Sequence, residues 1–285
     1  MAIVCAVTGA NGYIGSECVR YFQKCVYTVI KFVRNILDNE SKPYDLSINI
    51  DPNSLSGVDI LIHCAYEFKL FTWEDIHRVN VEGSRRLFHA AHEAGIKRIV
   101  YISSVSAYVG CQSLYGKAKL EIEEKAQEMD AFIIRPGLVF GSVKGGMFNA
   151  LYKMTNLPLL PVFSGGRQPM ALIHMNDLVA LIQKMAVEET GNRPKYVVAA
   201  HPEFISFRDI LLGIAHHRNK PLYLVSIPGG LTVFMLKLCE KIGLSLGFRS
   251  DSLISLLHSN EHSDFENMQE WHVALNGFSD WAAQR

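Results

Sequence analysis

The stretch "IVCAVTGANGYIGSECVRYFQKC", residues 3–25, decides the fold. Its first part, "IVCAVTG", is apolar in the manner of a buried strand, and "SECVRYFQKC" has helical periodicity and is expected to begin at a serine cap. Between them stand Gly9, Gly12 and Gly15. Glycines suit a tight turn, let the backbone approach a pyrophosphate, and let the helix pack close to the strand. The helix start then offers unpaired N–H groups and the positive end of its dipole to phosphate. Set between a strand and a helix, the triplet points to dinucleotide binding; the alternative is a turn needed only for packing.

Working outward, the next strand, "YTVIKFVR", ends at Arg34. A carboxylate at that place accepts hydrogen bonds from the ribose of NAD, whereas an arginine can bind the 2′-phosphate of NADP. NADP is therefore the expected cofactor, with NAD the alternative; a solvated arginine at a strand end is the plainer reading. "VDILIHCA" is a third strand, apolar nearly throughout, and residues 73–94 are helical in period. "RIVYISS" is a strand, 115–129 a helix, and "AFIIRPG" closes the series. Apolar strands separated by helices indicate a parallel sheet covered on both faces, a doubly wound α/β fold. After Gly141 the chain turns rich in glycine and proline with one short helix, then "IHMNDLVALIQKMAVEE" and "KYVVAA" supply a helix and a strand that can rejoin the sheet. Residues 1–141 plus 173–200 are thus assigned to a nucleotide-binding domain, and 142–172 plus 201–285 to a smaller, mostly helical C-terminal lobe.

The bulk properties exclude other classes. The 285 residues carry 28 basic and 28 acidic side chains, which argues against a nucleic-acid binder, since that needs a basic excess or stripe. Cys5, Cys18, Cys25, Cys64, Cys111 and Cys239 have no paired spacing and read as small buried hydrophobes in a reducing compartment. Eleven histidines are scattered without metal-type clustering, so no metal is expected; His63 and His174, in apolar segments, read as satisfied core or supporting residues. The N-terminus reads as a strand and not a signal peptide. The apolar run 229–248 is broken by Lys237, Glu240 and Lys241 and reads as an amphipathic helix, not a membrane span. A cytoplasmic enzyme acting on a small molecule is expected, with self-association into a homodimer left open.

A second motif carries the chemistry. In "SSVSAYVGCQSLYGKAK", residues 103–119, Tyr115 and Lys119 share a helix face at i, i+4. By spacing alone they are an ordinary surface pair or an acid–base pair. "ISS", "HCA" and "RPG" all fall at the carboxyl ends of parallel strands, where open α/β sheets bind ligands. That geometry supports the acid–base reading. A nearby cation and a positively charged nicotinamide stabilise the phenolate and bring its pKa down from about 10 toward the working range.

Taken in order, "TGANGYIG", "GVDILIHCA", "NVEGSRRLFHAAHEAGIKRIVYISSVSAY", "YGKAK", "RPGLVFG" and "IHMNDL" resemble the successive motifs of the extended short-chain dehydrogenase/reductase superfamily, in particular its NAD-dependent epimerase/dehydratase family. The resemblance covers about the first two-thirds of the chain and implies a Rossmann-like sheet. It implies that Gly9, Asn11, Gly12, Ile14 and Gly15 line the pyrophosphate, that Ala65 lies beside the cofactor, that Asn80 orders the cofactor loop, and that Pro136 approaches the nicotinamide. It implies that Tyr115 moves the proton, Ser104 orients the substrate oxygen, and Lys119 serves both Tyr115 and the nicotinamide ribose. An adenine-contacting aspartate is also expected; in "DLSINIDPNSL" Asp45 and Asp51 compete for that role.

The reaction is narrowed but not fixed by these residues. Family dehydratases carry a carboxylate pair just after the active-site hydroxyl residue, and "SVSAY" has no acid there, which ranks dehydration low. Net reduction or oxidation of a carbonyl or secondary alcohol is the first expectation. Epimerisation of a nucleotide sugar through transient oxidation is one alternative, and a non-catalytic NAD(P)-binding scaffold or sensor is another. Where sugar-nucleotide members place an arginine for the diphosphate, this chain has Met170, with Arg167 displaced by three residues. With "LPLLPVF" nearby, the expected substrate lacks a nucleotide diphosphate.

Overall fold

The computed structural model describes residues 2–25, 27–36, 38–141, 145–189, 191, 193–228, 251 and 265–284. The run 229–248 and Cys239 lie outside the described residues. Among the described residues, no helix is long and apolar enough to cross a membrane.

β1 (Val4–Thr8), α1 (Tyr13–Lys24), β2 (Thr28–Val33), β3 (Ser41–Pro43) and β4 (Ile60–His63) open the chain. One helical rod follows: α2 (Trp73–Ile76) runs through a π turn (His77–Val81) into α3 (Glu82–Glu93). Then come β5 (Arg98–Ile102), α4 (Leu114–Glu128), β6 (Phe132–Pro136), β7 (Leu138–Phe140), α5 (Gly146–Met154) and β8 (Leu159–Phe163). β9 (Pro169–Met170), β10 (Leu172–His174), α6 (Met175–Val187), β11 (Tyr196–Ala199), β12 (Ile205–Ser206), α7 (Phe207–His217) and β13 (Tyr223–Ile227) follow.

Seven strands form one parallel sheet in the order β11-β6-β5-β4-β1-β2-β3. The order reverses beside β1, the crevice where such sheets bind dinucleotides. Side chains alternate across the sheet: Cys5 and Val7 enter the core under α1 and α6, while Ala6 enters the core under α3 and α4. Both faces being covered explains why these strands are apolar almost continuously in sequence. A third core gathers Phe140, Phe148, Leu160, Phe163, Ile210 and Trp281. Beside α5 and α7 it carries three two-stranded sheets, β10 with β7, β12 with β9, and β13 with β8.

Local departures from the sequence reading have physical causes. The first helix begins at Tyr13 with Gly12 as its cap, one turn before the serine. Ser16 lies inside that turn and donates to the Tyr13 carbonyl instead. The strand "ILIH" is fourth in the chain, because Ser41–Pro43 adds a short edge strand whose polar sequence lacks the usual apolar signature. Met268 and Trp271, far along the C-terminal segment, are buried in the core under α1 and α6.

Candidate active site

The glycine turn fits a dinucleotide. Gly9 has φ +64°, and a β-carbon there would come within 2.9 Å of the Ala65 backbone, so the turn lies directly against the loop after β4. A β-carbon at Gly15 would be driven into the Gly9 carbonyl, so α1 approaches the turn as closely as backbone allows. Gly12 caps α1 without a side-chain hydrogen bond, leaving the helix start to other acceptors. Asn11 is exposed at the tip, and Ile14 lines the cavity described below.

Arg34 stands exposed at the end of β2, where its guanidinium is paired with Glu67. Asp45 follows β3; its carboxyl is held below the usual range, first by hydrogen bonds from Ser47 and also by the charge of Arg34. Asp51 instead caps the turn Pro52–Leu55, accepting from Asn53 N at 2.9 Å. Asn80, fully buried at the π turn, clamps the loop after β4: its Oδ1 accepts from Glu67 N (2.7 Å) and its Nδ2 donates to Glu67 O (3.2 Å).

Ser104, Tyr115 and Lys119 come together at the carboxyl edge of β5. Ser113 caps α4 by accepting from Gly116 N (3.0 Å), which places Tyr115 in the first turn and Lys119 one turn deeper. Tyr115 is half-buried and hydrogen-bonded to the Ser104 hydroxyl, which also accepts from Ser106 N (3.1 Å). Lys119 is buried; its Nζ donates to Ile102 O (2.8 Å) and lies 5.9 Å from the Tyr115 ring centre, over the rings of Tyr66 and Tyr101. Burial brings its pKa down to about 8.

The tyrosine differs from the expectation of a lowered pKa. Burial pushes it up to about 12, the Ser104 hydrogen bond opposes this, and the negative charge of Asp251 adds to it. Asp251 accepts from Leu114 N (2.8 Å) and Tyr115 N (3.0 Å), so the start of α4 holds a carboxylate beside the catalytic candidate. Behind the helix, Arg135 donates to Glu123 (2.7 Å from Nε), and Ser103 Oγ donates to the same carboxylate.

A cavity of about 290 Å³ opens over Tyr115. Its lining includes Tyr13, Leu70, Pro136, Met147, Met170 and Phe204. Tyr66 meets the Tyr115 ring edge-on at 5.1 Å, and Phe68 stacks on it at 5.8 Å. Glu67 and Asp251 are the charged side chains among the described residues of the lining; no lysine or arginine is among them. Arg167 is exposed and outside the lining, while Met170 is inside it.

His63 is a satisfied core histidine, hydrogen-bonded to Thr8 Oγ1 (2.7 Å) and Ser84 Oγ (2.9 Å) and kept neutral by burial. His174 caps α6 by accepting from Asn176 N (3.3 Å). Asp251 escaped the sequence reading because 136 residues separate it from Tyr115. Glu67, two residues beyond Ala65, had a usable signal in its place at the strand-end crevice.

A parallel sheet with a glycine turn at its switch point and a Ser-Tyr-Lys cluster across the crevice has the architecture of the extended short-chain dehydrogenase/reductases. Residues 5–199 match the NAD dependent epimerase/dehydratase family, and the chain belongs to that family of enzymes. It is 29% identical over 191 residues to the ceramide reductase of Caulobacter vibrioides, a match covering 62% of this chain and 59% of that protein's length. To the UDP-glucose 4-epimerase of Vibrio cholerae it is 23% identical, over 78% of each chain. In fold it is similar to MoeE5, solved in complex with UDP-glucose and NAD, with a TM-score of 0.76 at 18% identity over 98% of this chain and 96% of that one.

Proposed function

We propose that this enzyme transfers hydride between NADP(H) and the carbonyl or secondary alcohol of a largely apolar substrate, using Ser104, Tyr115 and Lys119. The observation that carries the reading is the cavity over Tyr115: apolar in most of its lining, with two carboxylates and no cationic side chain among its described residues. A nucleotide diphosphate calls for charge-assisted partners, and Met170 cannot supply one. The similarity to a ceramide reductase, which by its name acts on a lipid, points the same way.

The nicotinamide, when bound, supplies or accepts the hydride. Gly9, Asn11, Gly12, Ile14 and Gly15 would hold the pyrophosphate, Ala65 and Pro136 would border the ring, Asn80 would fix the loop between them, and Arg34 would take the 2′-phosphate. Asp45, beside Arg34, is the better placed of the two adenine-contacting candidates. Ser104 orients the substrate oxygen, and Tyr115 gives it a proton during reduction or takes one during oxidation. The positive charge of Lys119 favours the phenolate that forms on proton release. The third core is read as the substrate lobe.

The test is NADPH consumption across a panel of long-chain, polycyclic and sugar carbonyls. Turnover of apolar carbonyls is expected, with Tyr115→Phe lowering kcat at least about a hundredfold while cofactor affinity changes little. Micromolar binding of UDP, GDP or dTDP sugars by calorimetry would overturn the substrate class and restore the nucleotide-sugar epimerase reading.

A further inference from the structure

Glu67 stands at two sites at once. It lines the cavity over Tyr115, and its carboxylate is also paired with Arg34 at the end of β2. The two partners differ in freedom. Glu67 is held by Asn80 at both its N–H and its carbonyl, and its Oε1 accepts from Lys69 N (2.8 Å). Its neighbours Tyr66 and Phe68 pack on the Tyr115 ring. The Glu67 side chain is 16% exposed and that of Arg34 59% exposed, so the arginine is the partner that can swing away.

A guanidinium presents one planar fork, and a carboxylate engaged with it competes with a phosphate seeking the same donors. We propose that Glu67 is a cofactor-selectivity residue: it occupies Arg34 in the free enzyme, so that NADP(H) binds only by exchanging this carboxylate for its 2′-phosphate. NAD(H) has no 2′-phosphate and requires no exchange. The proposal rests on the reading of Arg34 given above, and it makes the balance between the two cofactors depend on a residue in the loop after a different strand, β4.

The experiment is calorimetric titration of the full-length protein with NADPH and with NADH, for the wild type, Glu67→Gln, Arg34→Ala and the double variant. Glu67→Gln is expected to tighten NADPH about fivefold, the upper range for one exposed ion pair, and to leave NADH within about twofold. In the Arg34→Ala background the same substitution is expected to gain less than about twofold for NADPH, because the contested donor is gone. If Arg34→Ala leaves NADPH affinity unchanged, the reading of Arg34 fails. If Arg34→Ala weakens NADPH but Glu67→Gln does not tighten it, or tightens NADH equally, the competition alone is refuted.

Discussion

At Tyr115 the surroundings favour the phenol. Burial and Asp251 raise its pKa and the Ser104 hydrogen bond lowers it, so the proton is retained well above neutrality. A group held protonated is suited to giving a proton to a nascent alkoxide, which is the direction of reduction. Asp251→Asn removes the nearby negative charge and lowers the tyrosine pKa. The alkaline loss of kcat/KM for carbonyl reduction should then move to lower pH, as measured in a pH–rate profile. His63 carries a second pH effect. Unfolded, it takes up a proton near pH 6.5, but in the native core it stays neutral to about 3. The unfolded chain therefore binds the extra proton between these values, and stability falls as pH drops from 6.5 toward 3. The loss is at most roughly 1.4 kcal/mol for each pH unit crossed. Urea midpoints measured across that window should show this slope, and His63→Gln should flatten it. The places of the glycines, Tyr115 and Lys119 in the fold were legible because they follow from neighbours in sequence. Asp251 was not, because its role exists only once the chain has folded back to the start of α4.

Among the elements, the rod from Trp73 to Glu93 read as one uninterrupted helix, and its π turn left no trace in the apolar period. That turn coincides with Asn80, whose amide is buried and spent wholly on the Glu67 backbone. π turns occur often at functional sites, where one extra residue re-aims a side chain. Asn80→Ala would leave the half-buried N–H and carbonyl of Glu67 without these partners, at a cost of up to about 1–3 kcal/mol for each group. The expected outcome is faster amide exchange at Glu67 and weaker cofactor binding, with smaller changes in α4. The early start of α1 has a steric side: serine is the commoner cap, but a β-carbon at Gly12 would lie only 3.0 Å from the Gly9 carbonyl oxygen. Gly15→Ala should accordingly reduce dinucleotide affinity and loosen α1 on β1, seen as loss of both cofactor binding and thermal stability.

For the molecule as a whole, the C-terminal segment ties back to the nucleotide-binding sheet. The indole of Trp271 is fully buried and donates from Nε1 to Pro194 O (3.2 Å), while Lys184 donates to the carbonyls of Trp271 and His272. Buried Asp177 accepts from Asn276 N at 2.6 Å. Trp271→Ala should cost about 3–5 kcal/mol, as large aromatic deletions do in a packed core, and should lower the melting temperature even of cofactor-loaded protein. Little in the local sequence signals this. A lone tryptophan in "EWHVALNGF" has no periodic partners, so nothing nearby says which core receives it. The alternation of strands and helices, by contrast, was readable over the first two hundred residues, because a sheet covered on both faces writes its burial into every strand.

The same sheet has a bearing on how the chain reaches its native state. Its pairings are parallel, so Cys5 must find Ile60 and Ile133 must find Tyr196 before those contacts contribute anything. Such distant closures slow the search for the native topology and leave apolar strand edges exposed meanwhile. β6 waits longest, since the partner on its outer edge, β11, is made more than sixty residues later. During synthesis the ribosome therefore presents a nearly complete but open-edged sheet, and lowering the growth temperature should raise the yield of correctly folded enzyme.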